Sequence, residues 1–143
     1  MLLHAFYCII VSLGFTILFN IRGKNIFVAA FGGGISWFIF LLCQKYNYST
    51  TISLFYAAIS ASLYAELMAR YFKSPVTTFT ICGILPLVPG NGMYYTMYYS
   101  ISGNINSATS TGLQTCIYAG AIAIAVVMVS SITKLITLKK RIS

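Results

Sequence analysis

Two short segments of this chain hold residue types and spacings that could do chemistry. The first is the run from Pro86 to Gly92, which gathers two prolines, two glycines and Asn91 inside an otherwise apolar region. Proline donates no backbone hydrogen bond and glycine adopts backbone geometries closed to other residues, so this run predicts a break in a helix. A broken helix leaves N–H and C=O groups that are free to bind a ligand or an ion.

The second segment contains the only acidic residue of the chain, Glu66, four positions before Arg70. Residues four apart lie on one face of a helix, so the two side chains can form an ion pair. Ionisable groups within apolar segments often mark ion pathways or proton relays, which predicts a coupling role. A self-neutralised structural pair, with Arg70 extending toward the interface, explains the same spacing. The sequence leaves both interpretations open.

The composition places both segments in a membrane. Of 143 residues, 59% are hydrophobic and only 7% are charged, whereas a soluble domain carries about a quarter charged residues. The net charge of +8 comes from nine cationic residues that lie mostly at the ends of apolar runs, where orientation signals belong. No basic stripe interleaved with aromatic residues occurs elsewhere, so we exclude nucleic acid as a partner.

The apolar runs predict an all-α integral membrane protein with about five transmembrane helices in one domain, residues 1–143. A helix of about 20 residues spans the hydrocarbon core of a bilayer. The predicted spans are 2–19, 26–43, 51–72, 76–101 and 113–133. We interpret the first as a retained span because it lacks the basic start of a signal peptide. The fourth is discontinuous, broken near residues 86–92, because neither of its halves is long enough to cross alone.

The charges predict the orientation of these spans. Five crossings place Arg22, Lys24, Lys73 and the basic tail at residues 139–141 on one side, with a single lysine, Lys45, opposite. The positive-inside rule then puts the N-terminus outside and the C-terminus in the cytoplasm. A re-entrant hairpin at residues 76–101 would turn the basic tail outward, against that rule. The polar segment 102–112 is predicted to be an outer loop.

The break has a polarity that indicates its ligand. A half-helix that starts near Met93 directs its positive N-terminal end toward the break, which favours a carboxylate. The half-helix that ends near Val88 leaves carbonyl oxygens, which suit an ammonium group or a cation. A small zwitterion or dicarboxylate therefore fits better than a sugar or a lipid. The predicted substrate-binding residues are Pro86, Pro89, Gly90, Asn91, Gly92, Tyr94, Tyr95 and Thr96.

A plain proline kink is the alternative to a site at the break. Tyrosines anchor membrane proteins at the interface, and Tyr98 and Tyr99 lie near the predicted outer boundary of the span. In that interpretation the break serves the architecture of the helix and binds nothing.

The other reactive residue types do not form a site. The four cysteines, Cys8, Cys43, Cys82 and Cys116, are scattered singly, and His4 is the only histidine. Single cysteines in apolar segments are most often small core residues. The chain has no aspartate for chemistry on magnesium, and no base is placed for a serine nucleophile. We therefore predict no enzyme activity, no catalytic residue, no metal and no cofactor.

Small residues indicate close helix packing and a further subunit. Residues 32–36 in the second span and 119–125 in the fifth are rich in glycine, alanine and serine. Faces of small residues let membrane helices approach closely. Five spans leave part of these faces without an internal partner, so we expect contact with another subunit, including the possibility of a homo-oligomer.

Two motifs carry a resemblance to a known family. The run A-E-x-x-A-R-x-x-K-x-P at residues 65–75 and the run P-L-V-P-G at residues 86–90 resemble the threonine/serine exporter family. The chain is similar to the short form, which corresponds to the C-terminal membrane half of full-length exporters. The two motifs occur in order and at the expected spacing, and the likeness extends over nearly the whole chain.

The resemblance implies an activity, a partner and a location. Full-length members resemble proton-driven exporters of amino acids, and paired forms are linked to dicarboxylate export, succinate in particular. It implies a multi-pass protein of the bacterial plasma (inner) membrane that works with a larger homologous subunit. The alternative is a structural or assembly subunit with no substrate site of its own.

Overall fold

The described residues form six helices and one 3-10 turn. The computed structural model describes residues 2–21 and 23–142, with side chains for residues 3–21 and 23–136. The helices are α1 (Leu2–Leu18), α2 (Asn25–Lys45), α3 (Thr50–Tyr71), α4 (Val76–Ile84), α5 (Gly90–Ile101) and α6 (Ile105–Ile142), with the 3-10 turn at Leu85–Leu87. The described residues contain no strand, and the predicted all-α fold class is confirmed.

Helix α3 lies at the centre of the bundle and contacts α2, α4 and α6. Its interior positions are small residues, and Ala57, Ala58, Ala61 and Ala65 are all fully buried. Alanine side chains let neighbouring backbones come close, which is how helices gain packing energy when the surrounding lipid is as apolar as they are.

The basic turns lie at one end of the bundle. Asn25 Nδ2, at the start of α2, donates to Ser74 Oγ, before α4, at 2.8 Å. Arg70 Nη2, near the end of α3, donates to the Thr133 carbonyl of α6 at 3.3 Å. The α1–α2 turn, the α3–α4 turn and the later part of α6 therefore meet there. Arg22, Ser143 and the side chains of the tail at residues 139–141, which the topology prediction also uses, lie outside the described residues.

Three of the helices are long and apolar enough to cross a membrane: Asn25–Lys45, Thr50–Tyr71 and the Ile105–Ile136 part of α6. The segments Val76–Leu87 and Gly90–Ile101 pass the same test only together, and their axes differ by 56°. The predicted break between these two helical segments is thus confirmed, and their identity as one crossing stays a prediction. Helix α1, with 17 residues, is shorter than the three that pass this test alone, and its crossing stays a prediction.

The direction of α6 bears on whether α4 and α5 form one crossing or a hairpin. Leu54 of α3 and Ile122 of α6 share one core cluster, whereas Arg70 and Thr133 meet at the basic end. Helices α3 and α6 therefore run parallel. Helix α4 begins at the basic end and α6 returns to it, so α5 leads away from that end. This arrangement favours a single bent crossing over a re-entrant hairpin.

Helix α6 is much longer than the predicted span 113–133. It begins at Ile105, so most of the predicted outer loop 102–112 is helical. The reason is local hydrogen bonding: Asn104 Oδ1 caps the helix by accepting from the Ser107 amide at 3.2 Å. The hydroxyls of Thr109 and Thr115 donate to the carbonyls of Ile105 and Thr111. Polar residues that bond within their own helix do not require a loop.

Candidate functional site at the helix break

The break begins at the end of α4. Pro86 cannot donate to the Cys82 carbonyl one turn earlier, so the α-helix ends at Ile84 and a 3-10 turn follows. The Val88 amide donates to the Leu85 carbonyl at 3.2 Å, and the Gly90 amide donates to the Val88 carbonyl at 2.7 Å. The chain then turns directly into α5.

Helix α5 starts three residues earlier than predicted. It begins at Gly90, not near Met93, so Gly90, Asn91 and Gly92 form its first turn and the break itself is Leu85–Pro89. Gly92 contributes to this difference because it lets α6 come close to the start of α5: a Cβ added at Gly92 would lie 2.3 Å from the Thr115 hydroxyl oxygen. The close approach of α6 at this glycine holds the first turn of α5 in place.

Ser36 of α2 compensates for the bonds lost near the break. Its hydroxyl is fully buried and lies 2.7 Å from the Gly83 carbonyl and 2.9 Å from the Gly33 carbonyl. A carbonyl in lipid-exposed surroundings would cost several kcal/mol without a donor. Ser36 therefore joins α2 to the end of α4 and stabilises the irregular backbone.

A cavity of about 450 Å³ opens beside the break. The whole run from Pro86 to Gly92 lines one side of it. The opposite walls come from α2, α3 and α6, through Trp37, Phe40, Thr50, Leu54, Thr111, Gln114, Thr115 and Tyr118. None of these lining residues is charged, so the cavity presents only neutral hydrogen-bonding groups and apolar surface.

The cavity region holds hydrogen-bond donors without protein acceptors. Trp37 Nε1 is buried and has no partner among the described residues. The amides of Asn91 and Gly92, in the first turn of α5, also donate to no acceptor in the described part of the chain. These amides carry the positive end of the helix dipole. An indole N–H and a helix N-terminus are both suited to a carboxylate.

The far wall adds groups that can both donate and accept. Gln114 Nε2 donates to Tyr118 Oη at 2.8 Å across one turn of α6. The Gln114 carbonyl oxygen and the Tyr118 hydroxyl hydrogen keep bonding capacity beyond that contact. An ammonium or hydroxyl group of a small ligand therefore finds acceptors opposite the donors of the break.

The comparisons with known proteins bear on what this site serves. Residues 4–132 match the family model described as "Threonine/Serine exporter, ThrE". The chain belongs to the threonine/serine exporter family. Neither the curated proteins nor the solved structures contain a match. Membership makes this a membrane protein of the exporter type, and the resemblance inferred from the two sequence motifs is confirmed.

Five of the eight predicted substrate-binding residues of this exporter-family chain line the cavity: Pro86, Pro89, Gly90, Asn91 and Gly92. The other three do not line it. Tyr94 and Tyr95 are 63% and 42% exposed on α5. Thr96 donates its hydroxyl to the Gly92 carbonyl at 2.7 Å. The binding role of the five that line the cavity stays a prediction.

The tyrosines of α5 form their own cluster. The rings of Tyr94 and Tyr98 stack with centroids 6.4 Å apart, and those of Tyr95 and Tyr99 stack at 5.9 Å. Tyr94, Tyr95 and Tyr98 are exposed and Tyr99 is half-buried, and the anchoring role of Tyr98 and Tyr99 stays a prediction.

Sequence reasoning missed the walls that α2, α3 and α6 contribute. Trp37 is the only tryptophan of the chain, and Gln114 is the only glutamine of the predicted fifth span. A polar side chain in an apolar span is a recognised signal for a functional position. That signal could have identified Gln114, but only the packing shows that Gln114 and Trp37 face the same break.

The predicted pair of Glu66 and Arg70 forms at the other end of the bundle. Arg70 Nη2 lies 3.8 Å from Glu66 Oε2, and the glutamate side chain is only 12% exposed. Arg70 also donates to the Thr133 carbonyl. The geometry is compatible with a structural pair that joins α3 to α6 and with a coupling role, and the coupling role stays a prediction.

Proposed function

We propose that this chain is the membrane subunit of a secondary exporter of small hydrophilic carboxylate metabolites, and that it binds them in the cavity at the helix break. The substrates proposed are threonine and serine, or a dicarboxylate such as succinate. We further propose that a larger homologous subunit completes the exporter, in the bacterial plasma membrane. Family membership supports the exporter type, and the cavity supports the substrate class.

The observation that carries the proposal is the set of unsatisfied donors around an uncharged cavity. A buried donor left without an acceptor costs about 1–3 kcal/mol, and Trp37 Nε1 is such a donor. The α5 amides add a second set beside it. A carboxylate would accept from these groups and recover that cost, whereas a cation would meet the positive end of the helix.

The absence of charge from the cavity lining separates the two substrate classes. A zwitterion such as threonine carries no net charge, and its ammonium group could donate to the Gln114 carbonyl oxygen. A dicarboxylate would bring a second negative charge to a lining without lysine or arginine. Transfer of an unpaired charge from water is strongly unfavourable. Within this chain the amino acid is favoured, and a dicarboxylate would need a cation from the partner.

The partner proposal rests on the small-residue faces. Gly120 of α6 and Gly14 of α1 have no described atom within 4 Å of an added Cβ, so these close-packing positions have nothing against them in the bundle. An alternative is that this chain only assembles the complex and that the partner alone binds substrate.

The decisive experiment measures efflux from cells or vesicles that contain this chain, the larger subunit, or both. We expect threonine and serine efflux from the pair and little from either chain alone. Full activity of this chain alone would refute the partner, and full activity of the larger subunit alone would refute a substrate role here.

A Trp37→Phe variant in the active pair tests the cavity. It keeps an aromatic ring but replaces the indole by a smaller phenyl group without an N–H, so KM for the amino acid should rise about tenfold or more, the effect of at least one hydrogen bond to a charged group. The matched control is Tyr46→Phe, which removes a hydroxyl from an exposed ring near the end of the same helix and should leave KM unchanged. An unchanged KM in Trp37→Phe would overturn the cavity as the binding site.

A further inference from the structure

A groove runs along the surface of the bundle between α4 and α6. Its middle part has a volume of about 410 Å³ and is purely apolar, with Ile84 and Val88 on one wall and Ala119, Ala123 and Val127 on the other. It is an open cleft that shares Val88 and Pro89 with the cavity at the break but does not include Trp37 or Gln114.

Helices α3 and α6, with the start of α4, form a second cleft at the basic end of the bundle. This cleft has a volume of about 480 Å³ and lies between Arg70 on α3, Val76 at the start of α4, and Lys134 on α6. Both cationic side chains are exposed, and Glu66 is the only acid beside them. With Glu66 ionised, the two cations leave the cleft with a net positive charge.

The distance between the two clefts along α6 is about the thickness of the hydrocarbon part of one lipid leaflet. From Ala123 to Thr133, α6 advances ten residues, or about 15 Å at 1.5 Å per residue. Half of a hydrocarbon core of ~30 Å is also about 15 Å. The basic cleft therefore lies one acyl-chain length from the apolar part of the groove, along the same pair of helices.

We propose that this groove binds an anionic phospholipid, with its phosphate between Arg70 and Lys134 and an acyl chain between α4 and α6. Charge complementarity selects this occupant, because basic pockets between membrane helices bind acidic headgroups. The apolar wall accepts a hydrocarbon chain and offers no polar group to a soluble anion. The proposal is independent of what the cavity at the break transports.

The test uses the full chain purified in detergent, with phosphatidylglycerol or phosphatidylcholine of identical acyl chains added. We expect phosphatidylglycerol to raise the thermal unfolding midpoint and to remain bound in native mass spectrometry, and phosphatidylcholine to do neither. Equal effects of the two lipids would overturn the proposal. So would equal stabilisation by soluble glycerol phosphate, because the groove would then contribute nothing.

Two pairs of variants locate the binding. Lys134→Gln should weaken phosphatidylglycerol binding about fivefold, the effect of one basic contact near a membrane surface. Lys45→Gln removes a lysine at the end of α2, at the opposite end of the bundle from the basic cleft, and should leave phosphatidylglycerol binding unchanged. Ala123→Trp fills the apolar wall and should abolish retention of the lipid, whereas Ile124→Trp, at an exposed position outside the groove, should not.

The outcomes of these experiments distinguish a bound lipid from a bound protein helix as the occupant of the groove. If both substitutions in the groove leave lipid binding unchanged while the larger subunit displaces phosphatidylglycerol, the groove is a subunit interface and the proposal fails. If Lys134→Gln and Lys45→Gln weaken binding equally, the attraction is a general effect of positive charge and the proposal also fails.

Discussion

At the scale of single residues, Gly33 and Gly14 show how context reverses the effect of one substitution. Both lie inside helices, where replacing glycine by alanine should stabilise by about 1 kcal/mol. At Gly14 nothing lies within 4 Å of the added Cβ, but at Gly33 the Ser12 hydroxyl oxygen would be 2.0 Å away and the Cys82 carbonyl 3.2 Å away.

We therefore expect Gly14→Ala and Gly33→Ala to change the free energy of unfolding in opposite directions. The first should raise the free energy of unfolding by up to about 1 kcal/mol, and the second should lower it by about 1–3 kcal/mol through overpacking. Thermal unfolding in detergent measures both. Ser12→Ala should partly restore Gly33→Ala, because it removes the nearest clashing atom. Equal midpoints for the two single variants would contradict the close packing of α1, α2 and α4.

The residues of the site divide into those that local chemistry reveals and those that only packing reveals. Pro86 and Pro89 mark the break in the sequence because proline cannot continue the hydrogen bonds of a helix whatever surrounds it. Trp37 and Gln114 have ordinary neighbours in the sequence, and they reach the cavity only because α2 and α6 pack around the end of α4. Their place in the cavity wall depends on tertiary packing, which no short sequence motif indicates.

At the scale of elements, the helix boundaries that were predicted wrongly from the sequence are the starts of α5 and α6, which are glycine-containing or polar helical turns. Gly90 to Gly92 is a poor helix-forming run, and the polar segment before Gly112 looks like a loop. Both are helical in the structure, where α5 and α6 pack on each other, with Gly92 against Thr115 and Gly112 against Thr96, and where Asn104 caps the start of α6. Helices α1, α2 and α3 begin and end within two residues of the first three predicted apolar spans, and their crossing of a membrane stays a prediction.

The break gives a prediction that belongs to this scale. Pro89→Ala together with Gly90→Ala should join the turn at Leu85–Leu87 to α5 in a more regular helix. Gly90 has open space for a Cβ, so expression and folding should hold. Repair of the backbone removes the free amides from the cavity, so efflux by the pair of subunits should fall.

The comparison variant for the double substitution is Asn91→Ala. It leaves the break intact and should weaken substrate affinity by about 1 kcal/mol, as expected for one hydrogen bond. Loss of folding in the double variant, or efflux at the wild-type rate with a repaired helix, would support the interpretation of the break as a proline kink without a ligand.

At the scale of the whole molecule, the two ends of the bundle differ in charge and in shape. The basic end carries Arg70, Lys73 and Lys134, together with the start of α2 at Asn25. At the other end, α6 extends about 14 Å beyond Gln114 to its start at Ile105. This extension pairs with the tyrosine-rich α5, so a helical hairpin projects beyond the cavity at the end that carries Lys45.

This asymmetry predicts how the protein lies in the membrane, with the basic end in the cytoplasm and the hairpin outside. Cysteine labelling in intact cells tests it, after the four native cysteines have been replaced by alanine. Asn106→Cys, at an exposed position in the hairpin, should react with an impermeant reagent from outside. It is a better position than the neighbouring Ser107, which is half-buried and whose amide binds Asn104.

Ser143→Cys should react only after the cells are opened, because α6 returns to the basic end of the bundle. Reaction of Ser143→Cys from outside would reverse the orientation, and it would place Arg70 and Lys134 on the outer face. The cavity at the break would then lie nearer the cytoplasm. The same measurement therefore decides from which side of the membrane a substrate of the proposed site would reach the donors of α5 and Trp37.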